Sequence, residues 1–67
     1  MSTTIDVQTF RDGNLVGLRP LTERAREWLR EHMPDDAPRL GATYYVELRF
    51  CADIIEDLRT NAGLHVA

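Results

Sequence analysis

Phe10-Arg11-Asp12-Gly13-Asn14-Leu15-Val16-Gly17-Leu18 is the stretch on which the reading of the fold depends. Asp-Gly between two apolar runs is a strong hairpin signal, because a type I′ turn needs positive φ at both central residues. With Asp12-Gly13 as the two-residue turn, Arg11 pairs with Asn14, Phe10 with Leu15, Thr9 with Val16 and Val7 with Leu18. Pro20 stops the second strand. Side chains alternate along a strand, so one face carries Ile5, Val7, Val16 and Leu18. The other carries Asp6, Gln8, Gly17 and Arg19, with Phe10 and Leu15 near the tip. The first set reads as core, whereas Phe10 and Leu15 form an apolar pair without an obvious home. Residues 1–4 are polar and are expected to fray.

Downstream of the hairpin the period changes. Thr22 is a good N-cap for a helix from Glu23 to about His32. Ala25, Trp28, Leu29 and Met33 make a single apolar stripe on it. Glu23–Arg26, Arg24–Glu27 and Glu27–Arg30 are three-apart pairs on its wet faces. Pro34-Asp35-Asp36-Ala37-Pro38 is a loop bounded by prolines. Thr43-Tyr44-Tyr45-Val46-Glu47-Leu48 is the clearest strand of the chain. From about Phe50 the pattern turns helical again, with Cys51, Ile54, Ile55, Leu58 and Ala62 on one stripe. Gly63 reads as the C-cap, with Leu64 packing back on Leu58, and Leu64-His65-Val66 as a last short strand.

The expected fold is therefore α+β, in the order β-β-α-β-α-β, as one domain over residues 1–67. A small mixed sheet is built from the hairpin, strand 43–48 and the short C-terminal strand. Both helices lie on one face, giving two layers. The short connections of the last strand–helix–strand unit predict that its two strands run parallel.

Composition narrows the function classes. The chain has 67 residues, and a domain of this size buries only about 60% of the surface its unfolded chain exposes. Its one cysteine, Cys51, excludes an internal disulfide, so self-association is the expected supplement. Cys51, His32 and His65 lack any metal-site spacing, so no metal is expected. The net charge of −3 argues against direct nucleic-acid binding, and a DNA-binding regulator would want a basic helix or ribbon that is not evident. All eight basic residues are Arg, which fits GC-rich coding better than selection for bidentate contacts. No signal peptide or membrane span is evident, and a cytoplasmic location is expected.

No cofactor and no catalytic residue is expected. Cys51 lies on an apolar stripe, as a structural thiol does. His32 sits in the last turn of a helix, where the dipole favours a cation. No glycine-rich phosphate cradle is present. Two surfaces remain as candidates. The uncovered sheet face would present Phe10, Leu15 and Tyr45, with Arg49 beside them, as a contact surface for another protein or a second copy of the chain. Glu47, Asp53, Glu56 and Asp57 would form an acidic patch suited to a basic partner.

Leu18-x-Pro20-Leu21-Thr22-x-x-Ala25-x-x-Trp28-Leu29, then Ala37, Gly41, Val46-Glu47-x-Arg49-Phe50-x-x-Asp53-Ile54 and Gly63-Leu64-x-Val66, resembles a group of short bacterial and prophage proteins. The resemblance covers most of the chain from residue 13 onward. It implies a bacterial or mobile-element origin and supplies no activity, cofactor or site. Within it Glu47, Arg49 and Asp53 are closely grouped, as either a structural strand-to-helix ion pair or a contact site would be. The expected function is a small, non-enzymatic protein–protein interaction module binding through the open sheet face. The alternative is an inhibitor of anti-CRISPR type, carried by a phage or mobile element and acting through the acidic helix surface.

Overall fold

The computed structural model describes residues 4–67. Of the stretch expected to fray, residues 1–3 lie outside the described residues, and Thr4 is exposed and outside regular structure. The elements are β1 (Val7–Asp12), β2 (Leu15–Pro20), α1 (Glu23–His32), β3 (Arg39–Leu40), β4 (Thr43–Glu47) and α2 (Leu48–Thr60). The fold is α+β, with two helices and a four-stranded antiparallel sheet in the order β1-β2-β4-β3.

The hairpin forms, but its turn moves by one residue. Asp12 pairs with Leu15, so Gly13-Asn14 is the two-residue loop and Val7 lies opposite Pro20 instead of Leu18. The cause is backbone chemistry. Gly13 has φ +63°, and no non-glycine residue has positive φ among the described residues. A turn over Asp12-Gly13 of type I′ would force Asp12 into the left-handed region. A turn with glycine at its first central position needs positive φ only there. Each partner shifts by two residues, so every side chain within β1 and β2 keeps its expected face.

The sheet differs from the expected mixed one. The C-terminal strand reduces to a single parallel bridge between Val66 and Val7, flanked by bonds that tie the Asp6, Val7 and Thr9 N–H groups to the His65 and Ala67 carbonyls. Val66 therefore sits beside β1, and β1 and β2 separate it from β4. The parallel strand–helix–strand unit is not made from neighbouring strands. β3, two residues long and paired to β4, was not expected.

Thr22 caps α1 as its residue type predicts, accepting from the Ala25 N–H. α2 begins at Leu48, two residues before the expected change of period, and Glu47 precedes it in extended conformation. The Leu48 N–H still donates to the Asn14 carbonyl, so strand pairing runs directly into the helix. At the far end Gly63, with φ +66°, reverses the chain, and the Leu64 N–H returns to the Leu58 carbonyl. Val7, Val16, Leu18, Tyr44 and Val46 from the strands join Ala25 and Leu29 of α1, Cys51 and Leu58 of α2, and Leu64 in one buried cluster.

Candidate functional site: an aromatic row and an apolar groove

On the face opposite Val16, Leu18 and Val46, pairing places Phe10, Gly17 and Tyr45 in one row across β1, β2 and β4. Gly17 is what lets the row close. The Phe10 ring lies over it, in space that a Cβ at position 17 would need. Phe10 and Tyr45 meet edge to face, centroids 6.0 Å apart and planes at 87°. The home that the sequence did not offer Phe10 is thus a glycine on the neighbouring strand. Phe10 remains 40% exposed, while Tyr45 and Leu15 are half-buried.

Leu15 and Tyr45 also line a groove of about 670 Å³ whose other walls include Trp28, Met33, Phe50 and Ile54. The proline-bounded loop forms its lip. The Ala37 N–H donates to the Pro34 carbonyl, and the Tyr45 N–H donates to the Pro38 carbonyl, holding the loop along β4. His32 stacks flat on Trp28, with centroids 4.1 Å apart. Its Nδ1 lies 2.9 Å from the Trp28 carbonyl, which can only accept, so Nδ1 carries the proton. Asp36, Glu47 and Asp57 add carboxylates to a lining that is, His32 apart, mostly apolar and aromatic.

Arg49 comes to this surface from the first turn of α2, not from a strand. Its Nε lies 2.9 Å from a Glu47 carboxylate oxygen as an ion pair, and its guanidinium lies 4.7 Å above the Phe50 ring. It shares a shallow hollow with Asn14, Leu15 and Leu48. The four expected contact residues are therefore contiguous: Phe10 touches Tyr45, Tyr45 and Leu15 share the groove, and Leu15 and Arg49 share the hollow. Exposed Leu48 and Phe50 extend the same apolar surface.

The acidic set is less convergent. Glu47 and Asp57 line the groove, whereas Asp53 and Glu56 are exposed on α2. Glu47 is occupied by Arg49 and Asp57 accepts from Asn61 at 2.7 Å. Asp53 makes no ion pair among the described residues, so the Glu47–Arg49–Asp53 group is a pair and not a triad.

Asp6 is the largest correction to the expected surface. It is 1% exposed. Its carboxylate receives Arg24 Nε and Nη2 at 3.0 and 2.8 Å, the Thr22 hydroxyl at 2.6 Å and the His65 N–H at 3.0 Å. Arg24 therefore reaches the sheet instead of Glu27. The Arg24 hydrogen bonds hold the Asp6 carboxyl far below the usual carboxylate range, helped by His65 and Thr22 and opposed by burial. Cys51 is buried, and burial pushes its thiol above its ordinary range, opposite to what a thiolate nucleophile requires.

The sequence exposed Trp28, Met33 and Ile54 only as core stripe members. Their second role depends on the loop leaving a gap beside them, which no spacing rule encodes. Among the described residues no group of three or more His, Cys, Asp or Glu is placed to hold a metal ion, and no helix is long and apolar enough to cross a membrane. No protein-family model matches the chain, and neither does any curated protein or solved structure.

Proposed function

We propose that this chain is a small non-enzymatic protein-binding module of bacterial or prophage origin, working in the cytoplasm. In this reading the two helices form one layer against one face of the sheet. The opposite face, with the groove it runs into, receives an apolar segment of another protein or of a second copy. One observation carries the reading: Leu15 and Tyr45 belong both to the sheet-face surface and to the groove walled by Trp28 and Phe50. Apolar surface that continues over a sheet face and into a cleft is what interface cores are made of.

The test compares wild type with a Phe10→Ser, Tyr45→Ala double variant. Partner capture from host lysate, with mass read-out, is run beside sedimentation and circular dichroism. A partner or dimer lost in a folded variant supports the module. Unchanged partners and oligomeric state in a folded variant rule it out.

A second reading, an inhibitor of anti-CRISPR type, rests on exposed Asp53 and Glu56 beside Asp57 on α2. It requires binding to a nucleic-acid-handling protein that weakens with salt and with charge reversal at those three positions. Indifference to both treatments removes it.

A further inference from the structure

Three of the eight arginines of this acidic chain, Arg26, Arg30 and Arg39, line one cavity of about 300 Å³. We propose that this cavity is a binding site for a phosphate-class oxyanion, separate from the apolar groove.

Its construction is specific. Arg26 and Arg30 are four apart on α1 and so project from the same flank. Arg39 comes from β3, and Gly41 and Ala42 of the β3–β4 turn complete the wall with Pro20 and Tyr44. No carboxylate lines the cavity. Among the described residues Arg30 and Arg39 have no ion-pair partner, and Arg26 holds only Glu23, at 3.0 Å. The Glu27–Arg30 pair that helix spacing predicts is not made. Arg39 is held in place from below. Its Nη1 donates to the hydroxyl of buried Tyr44 at 3.2 Å, and its guanidinium lies 5.5 Å from that ring's centroid. One edge of the guanidinium is thereby spent on positioning while other donors stay free.

Three guanidinium groups around one cavity repel each other, and one carboxylate would neutralise only one of them. A phosphate group brings roughly −1.5 to −2 charge and three acceptor oxygens, and planar arginine forks match it in paired hydrogen bonds. The site sits on the flank of α1 opposite Trp28 and His32, so the groove and the cavity use different sides of one helix.

The experiment is a titration of the full chain with orthophosphate, and in parallel pyrophosphate, at constant ionic strength against chloride. Amide and Arg Nε–H NMR shifts provide the read-out. Saturable shifts at Arg26, Arg30, Arg39 and Gly41 are expected, absent with chloride. Arg30→Gln and Arg39→Gln are each expected to weaken binding roughly tenfold or more, as loss of a charge-assisted pair does. Arg30 makes no side-chain hydrogen bond or ion pair among the described residues, so its variant keeps the test decisive if Arg39→Gln disturbs Tyr44. Non-saturating shifts, shifts shared with chloride, or affinity unchanged in folded Arg30→Gln overturn the site. So does binding of a single-stranded oligonucleotide without any response to orthophosphate, which would mark a diffuse polyanion surface.

Discussion

Asp6 and Gly17 show how much one residue decides here. A buried carboxylate is expensive unless its lone pairs are filled, and Asp6 has Arg24, Thr22 and the His65 N–H around it. Arg24→Ala leaves that charge with only part of its shell and is expected to lower the midpoint of urea denaturation. The acid response follows from the same contacts. The folded carboxyl binds its proton less readily than the unfolded chain's, whose ordinary value is 3.8. The Asp6 contribution is therefore complete above that value and fades as pH falls below about 4. An Asp6→Asn variant should be less stable at neutral pH and should lose less Tm than wild type between about pH 5 and pH 2. Equal acid slopes would contradict the assignment. Gly17 gives a different test, because its neighbour is movable. Gly17→Ala displaces the Phe10 ring from its seat. With Phe10 already changed to Ala, the same substitution should be neutral or stabilise by about 0.5–1 kcal/mol, the usual gain from removing a strand glycine. The two changes must then be non-additive in a double-mutant cycle.

At the scale of elements, legibility follows whether the governing interaction is local. α1 was readable end to end, since its cap, apolar stripe and terminating proline all lie within its own sequence. The hairpin was readable in kind and in facing, but its turn was not. Asp-Gly and Gly-Asn both satisfy tight-turn chemistry, and the choice rests on which residue must take positive φ. Gly13→Ala places a Cβ in that conformation and should cost about 1–2 kcal/mol. The same change at Asn14, where φ is not positive, should cost less, and equal losses in thermal melts would argue against the observed turn. β3 and the groove were not readable. β3 is two residues of Arg and Leu held by pairing to β4, with no periodicity to find. The groove exists because the loop after α1 follows β4 and stands clear of Trp28 and Ile54. That Phe10, Leu15 and Tyr45 share the sheet face opposite the core was readable because alternation is local. Arg49 was found in the right neighbourhood on the wrong element, since the strand gives way to helix at Leu48.

For the whole molecule the governing fact is that the two ends of the described chain hold each other. The Asp6 carboxylate and the His65 N–H are 59 residues apart in sequence, and Thr9 bonds the Ala67 carbonyl through both its N–H and its hydroxyl. Leu64, almost fully buried, carries this tail into the core. Such contacts close a loop of nearly the full length of the chain, and the assembled core offsets the entropy of that closure. They also cover part of the outer edge of β1, which would otherwise offer unpaired N–H and C=O groups to another strand. Two variants separate these roles. Leu64→Ala opens the core and should cost about 3 kcal/mol, or roughly 12–24 °C in Tm for a domain of this size. Removal of residues 65–67 leaves Leu64 in place but frees the N–H groups of Asp6, Val7 and Thr9 and takes one donor from the Asp6 carboxylate, which keeps Arg24 and Thr22. It should speed hydrogen exchange at those three amides well ahead of the β2 and β4 amides, and it should promote self-association by edge pairing. If exchange instead rises uniformly across the sheet, the tail acts through global stability alone, and the role assigned to it at the β1 edge is wrong.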